Sequence, residues 1–142
     1  MRTFLAVLLC AVVPATGSAQ ERDDLISTFR AVATNWARSD ADGVLRYMTP
    51  SGVSMDVSDG PMGPLGERQA EALLRQLFDQ GETVRVETGM LEQVGGTPAR
   101  AFGAITWTTR PEGTRVPVER TVYFGLEWTR GAWRVAEIRL IP

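Results

Sequence analysis

Between Asp23 and Ser39 the apolar side chains fall at Leu25, Phe29, Val32, Ala33 and Trp36, and spacings of three and four place one stripe along an α-helix. Asp23 and Asp24 stand where the helix dipole favours negative charge, and Arg38 stands where it favours positive charge. Ser39 or Asp40 is placed to cap a second, short helix carrying Val44, Leu45, Tyr47 and Met48. That helix must end at Thr49, because Pro50 pushes the residue before it out of helical geometry. Val53, Met55 and Val57 then alternate with Ser54, Asp56 and Ser58, a half-buried strand. Asp59-Gly60-Pro61 and Gly63-Pro64 break the pattern and predict an irregular loop that crosses to Gly66. From Glu67 to Gln80 the helical period returns, with Ala70, Leu73, Leu74, Leu77 and Phe78 on one face and Gly81 expected as a left-handed cap.

The rest of the chain has period two. Val84 and Val86 open a strand that runs to Val94, and Gly95-Gly96 suits a tight hairpin turn. The return arm, Ala99 to Thr109, sets Ala101, Gly103, Ile105 and Trp107 on one face and Phe102, Ala104, Thr106 and Thr108 on the other. After a turn at Pro111-Glu112-Gly113, Val116, Val118, Val122, Phe124, Leu126 and Trp128 alternate against Glu119, Thr121, Tyr123 and Glu127. Arg130-Gly131 turns the chain into a last strand, Ala132 to Ile141. Its apolar phase flips near Ala136-Glu137, so either a bulge re-aims the strand or both of its faces are partly covered. Helices followed by four long strands joined by tight turns predict an α+β domain, with helices packed on one face of an antiparallel sheet.

Composition changes this picture at the N-terminus. Arg2, the apolar run Phe4 to Val13 and the small residues Gly17-Ser18-Ala19 have the layout of a secretory signal peptide, residues 1–19. Export follows, to a periplasm or to the outside, and residues 20–142 form a single domain. Removing the first 19 of 142 residues takes away the single cysteine, Cys10, so the exported chain folds without disulfides. At about 120 residues it buries enough surface to do so. No integral membrane segment is expected after cleavage, because the apolar run is about half the length of a span and no second one follows.

The 15 basic residues are all arginine, histidine is absent, and the formal charge is -2. Imidazole bases, imidazole or thiolate metal sites and lysine Schiff bases are thereby excluded. Near-neutral charge with dispersed arginines argues against nucleic acid as a partner. No phosphate-binding loop, nucleophile elbow or dinucleotide fingerprint occurs, and neither a metal nor a cofactor is expected.

The order helix, helix, short strand, helix, four long strands resembles the nuclear transport factor 2-like superfamily, in which a curved sheet wraps around its helices to form a cone with a central pocket. The stretches Gly66-Glu67-Arg68-Gln69-Ala70-Glu71-Ala72-Leu73-Leu74-Arg75-Gln76-Leu77-Phe78 and Trp133-Arg134-Val135-Ala136-Glu137-Ile138-Arg139-Leu140 are similar to an exported bacterial family of that superfamily, defined only as a domain of unknown function. The resemblance implies helices packed in the concave face of a curved antiparallel sheet and a homodimer through its outer face. It also brings to mind ketosteroid isomerases, which use carboxylates and a tyrosine, and histidine-dependent cyclases, which the absence of histidine excludes.

An isomerase-like site needs an acidic residue in an apolar pocket with a neutral donor beside it. Asp56 is the candidate base, and Tyr47 or Tyr123 the candidate donor and ligand contact. Trp107, Trp128 and Trp133, on neighbouring strands, are candidates for an exposed interface patch. Glu119 and Glu127 are expected to pair with Arg134 and Arg139 across the last two strands. The absence of a catalytic motif favours a non-catalytic domain that binds a small apolar ligand or a protein partner. An isomerase- or dehydratase-like enzyme and a structural subunit of an envelope complex are the alternatives.

Overall fold

The computed structural model describes residues 16–142. The arginine, apolar run and cysteine of the predicted leader lie outside the described residues. Helix α1 spans Thr16–Ala37 and α2 Ala41–Leu45; β1 (Val53–Asp56) and β2 (Met62–Leu65) precede α3 (Glu67–Phe78); β3 (Gly81–Val94), β4 (Arg100–Pro111), β5 (Val118–Thr129) and β6 (Ala132–Ile141) complete the chain.

All six strands form one curved, unclosed sheet in the order β2-β1-β6-β5-β4-β3. The meander from β3 to β6 is antiparallel, as the turns require, and β1 adds to it by running parallel to β6, with Met55 opposite Ile138. The sheet is therefore mixed rather than purely antiparallel. Helix α1 lies in its concavity against β3, β4 and β6. Leu25, Phe29, Val32, Ala33 and Trp36 are buried there, at the spacing the sequence shows.

Several local expectations change. Helix α1 begins well before Asp23, which places the two aspartates inside it rather than at its start, and Gln20 Nε2 donates to Asp24 Oδ1 at 3.0 Å. Ser39 takes a left-handed φ of 53° and Asp40 caps α2, its carboxylate accepting from the Gly43 N–H at 2.9 Å. Helix α2 stops at Leu45, short of Tyr47 and Met48, because Met48 bridges to Val135 of β6 and the Tyr47 carbonyl accepts from the Val135 N–H. The predicted loop contains β2, which pairs antiparallel with β1 as an edge strand. Gly81 is not a left-handed cap. It opens β3, where a Cβ would stand 2.6 Å from the Arg110 carbonyl oxygen, so glycine there permits close approach to β4.

The hairpin after Val94 is a connection of residues 95–99 with positive φ only at Gly96, whereas Arg130 (φ 51°) and Gly131 (φ 76°) form the two-residue turn with both central residues left-handed. The phase flip in β6 is a bulge: Gly125 faces Glu137 and Leu126 faces Val135, leaving Ala136 as the extra residue. Trp133 and Val135 before it and Ile138 after it thereby all point into the core.

Candidate functional site

The interior of the curved sheet is occupied by aromatic side chains. Trp36 of α1 stands edge-on to Phe78 of α3, Trp107 of β4 and Phe124 of β5, with ring centroids 5.0, 5.4 and 5.5 Å apart, and Phe29 packs on Phe124 at 6.3 Å. Gly103 makes room for Phe29: a Cβ on it would stand 2.4 Å from that ring. A chain of hydrogen bonds ties the cluster to its frame, the Trp107 indole donating to Thr83 Oγ1 at 3.0 Å and that hydroxyl meeting Ser39 Oγ at 3.2 Å.

This packing decides the tryptophans. Trp107 and Trp133 are 2% and 1% exposed, so they are core rather than an exposed interface patch. Trp133 also donates from its indole to the Glu21 carbonyl at 2.8 Å, pinning the early part of α1 to β6. Trp128 is half-buried and edge-on to Trp133, with ring centroids 5.6 Å apart. The helices and the curvature of the sheet together cover more aromatic surface than a flat, one-sided sheet would.

Asp56 and Tyr123 lie on the other face. Met55 and Phe124 point inward, so their neighbours point outward, and the cross-strand row reads Asp56, Arg139, Tyr123. Asp56 and Tyr123 thus share a surface with a whole strand between them, about 10 Å apart at the backbone. Asp56 lines a depression of about 260 Å³ with Ser54, Met62, Glu137 and Arg139. Tyr47 is half-buried beside β6 and lies apart from this row. Neither tyrosine is brought to Asp56 in the way a base and an oxyanion donor must converge on one substrate.

The expected ion pairs between β5 and β6 do not form. The bulge sets Arg139 opposite Tyr123, and Arg139 Nε pairs instead with Glu137 two residues back, at 3.5 Å. Arg134 faces Glu127 in register but donates to the Arg46 carbonyl at 3.1 Å. That contact borders a groove of about 560 Å³ between α2, the start of α3 and the β5–β6 turn, lined by Met48, Thr49, Glu67, Arg130 and Arg134. Among the described residues no cluster of three His, Cys, Asp or Glu side chains is arranged to hold a metal.

The outer face has its own hollow, of about 340 Å³, where Gly125 lies between Phe102 and Glu137, with Ser54, Arg100 and Glu127 at its margin. Phe102 is 40% exposed.

One residue breaks the inward pattern. Arg120 of β5 stands directly opposite Trp107, and therefore on the concave face, in a register otherwise filled by Val118, Val122, Phe124, Leu126 and Trp128. Its signal in the sequence is a charge in the apolar phase of the most regular strand, between Val118 and Val122.

No family model matches the chain, and no curated protein matches it. Solved structures do. The chain is similar to a DUF4783 family protein from Bacteroides ovatus (15% identity, 78% of this chain and 90% of that one, TM-score 0.62). It is similar to a ketosteroid isomerase-like protein from Erwinia carotovora (18% identity, 85% and 95%, TM-score 0.68). It is also similar to a protein with a ketosteroid isomerase-like fold from Catenulispora acidiphila, solved in complex with trimethylamine (12% identity, 81% and 84%, TM-score 0.63). The fold is thus the nuclear transport factor 2-like α+β fold, and the likeness to a bacterial family of unknown function agrees with the resemblance read from the sequence.

Proposed function

We propose that the protein is an exported, non-catalytic binding domain. The observation that carries this reading is the inward register: among the described residues the strand positions facing the interior hold no aspartate, glutamate or tyrosine, and Asp56, the candidate base, faces outward beside Arg139 and Glu137. Acid–base work on a carbon acid needs a carboxylate in a water-poor pocket with a donor converging on the same atom. Binding requires neither. The trimethylamine complex of the Catenulispora protein supports small-ligand binding on this fold. The hollow around Phe102 and Gly125, flanked by Arg100, Glu127 and Glu137, supports a second copy of the chain as a partner through the outer sheet face.

Native mass spectrometry of the protein recovered from the exported fraction of its own host tests the reading. The expected species begins at Gln20 and carries a second copy or a small molecule, with the Phe102→Glu variant monomeric if the outer face joins the copies. A full-length chain retained in the cytosol, or a bare monomer at micromolar concentration, overturns it.

A further inference from the structure

The two edges of the sheet are finished differently. Strand β2, at one edge, has four residues, with Pro61 before it and Pro64 inside it, and a proline offers no N–H to a further strand. Strand β3, at the other, runs for 14 residues without a proline, and Val84, Met90 and Val94 along it are exposed. It pairs only with β4, so among the described residues the alternate N–H and C=O groups on its far side have no backbone partner. Such a row is a template for one more strand. Irregularities between Thr83 and Arg85 and between Thr88 and Leu91 twist the edge away, which leaves Arg85–Thr88 as the regular stretch between them.

That stretch is also where a helix flanks the edge. Ser39, just beyond α1, meets the Thr83 hydroxyl at 3.2 Å, and α1 runs back alongside the strand. A groove of about 490 Å³ lies between Arg30, Thr34 and Arg38 on the helix and Val86, Glu87 and Thr88 on the strand. Thr88 stands opposite Ile105, on the inner face, yet it is exposed, because α1 covers only part of the edge. Arg30 and Arg38 are exposed and, among the described residues, belong to none of the ion pairs, whereas Glu87 is paired with Arg85 at 3.5 Å. Two unpaired guanidinium groups therefore set the sign of the groove. They stand eight residues apart on α1, about 12 Å along its axis. Side chains four residues apart on one face of an extended strand are separated by about 13 Å. The open ladder accepts a strand, and the arginines select its side chains.

We infer that β3 and α1 form a docking site for an extended acidic segment of a partner protein, which adds to the sheet as a seventh strand along Arg85–Thr88. Its backbone completes the ladder of β3. Two carboxylates four residues apart on its inner face meet Arg30 and Arg38, and the small or apolar residue between them lies over Thr34 and Val86. A second copy of the chain fits this edge less well, because a two-fold axis there brings Arg30 and Arg38 of both α1 helices to one joint, and like charges oppose it. The site goes beyond the small-ligand and outer-face contacts proposed above and uses none of their residues.

The test is a titration of the full exported chain, labelled with ¹⁵N, with end-blocked heptapeptides of threonine. The first carries glutamate at its second and sixth positions and valine at its fourth, and the second has glutamine in place of glutamate. Two more repeat the first with the backbone N-methylated at either the odd or the even positions. The glutamate peptide is expected to give saturable shifts and slowed hydrogen exchange at alternate amides of Arg85–Thr88, with the glutamine peptide about tenfold weaker. Of the N-methylated pair, the isomer whose methyl groups point at β3 should not bind, and the other should. Arg30→Gln and Arg38→Gln, both on the exposed side of α1, should each weaken the glutamate peptide about two- to fivefold and leave the glutamine peptide unchanged. Equal affinity of the glutamate and glutamine peptides, equal affinity of the two N-methylated isomers, or no saturable shift up to about 1 mM peptide overturns the site. Concentration-dependent protection of the same amides without peptide overturns it in favour of a second copy. The native mass spectrum reports the small ligand and the outer face, so either proposal can fail alone.

Discussion

Two glycines on adjacent strands show how differently the two faces of this sheet are used. Gly103 of β4 stands opposite Phe124 on the inner face, and Gly125 of β5 stands opposite Phe102 on the outer face. Each leaves a gap beside a phenylalanine. On the inner face the chain fills the gap itself, because α1 delivers the ring of Phe29 into the space a Cβ would need. On the outer face no helix arrives among the described residues, and the gap remains a hollow bordered by Phe102, Glu137 and Arg100. The same local motif is a packing device where a second layer covers it and a surface feature where none does.

The comparison can be broken most forcefully at its centre. Trp36→Ala should lose about 3–5 kcal/mol in urea unfolding, as for other buried tryptophans, because its three aromatic neighbours cannot collapse into the space. Trp36→Phe should cost clearly less, since the indole Nε1 is buried without a partner and its removal leaves no polar group behind. If alanine costs under about 1 kcal/mol, the aromatic interior is not the stabilising layer described here.

Gly103→Val comes next and should destabilise by about 1–3 kcal/mol, as overpacking against a ring in a filled core does. Its counterpart, Gly125→Ala, sets a Cβ 3.2 Å from Glu137 Cβ and 3.8 Å from the Phe102 ring, an approach that a shift of a few tenths of an ångström on the open outer face relieves, and should cost less than about 1 kcal/mol. Similar costs at both glycines in parallel urea titrations would erase the distinction between the faces. Away from the sheet, Asp40→Ala removes the α2 cap and should cost about 0.5–2 kcal/mol, with Asp40→Asn restoring most of it. The smallest effect belongs to Asp56→Asn: on the outer face beside Arg139 it should move stability by no more than about 0.5 kcal/mol. A large gain in stability there would instead mark a carboxylate held in place for function.

Much of the fold was legible because periodicity reports burial. The α1 stripe, the inward set of β4 and the shift of phase at Ala136 all appear in the sequence as departures from or agreements with periods of 3.6 and 2. The edge strand β2 was not legible, since Met62-Gly63-Pro64-Leu65 carries turn residues and pairs only because β1 lies beside it. Trp107 and Trp133 read as surplus aromatic surface until α1 and α3 were seen to cover them. The ion pair expected of Arg139 failed for a related reason, as a one-residue bulge changes every cross-strand partner beyond it, whereas Arg134 keeps Glu127 opposite and turns instead to the Arg46 carbonyl.

By itself, then, the sequence determined which side chains share a face, where the chain must turn, and which chemistries its lack of histidine and lysine forbids. These follow from local geometry and residue type. Only the tertiary structure decided which face is inner, and hence that Asp56 and Tyr123 look outward while Arg120 looks in. A strand's alternation has no sign until a second layer packs on one side of it, and the meaning of a charge on that strand waits for the same event.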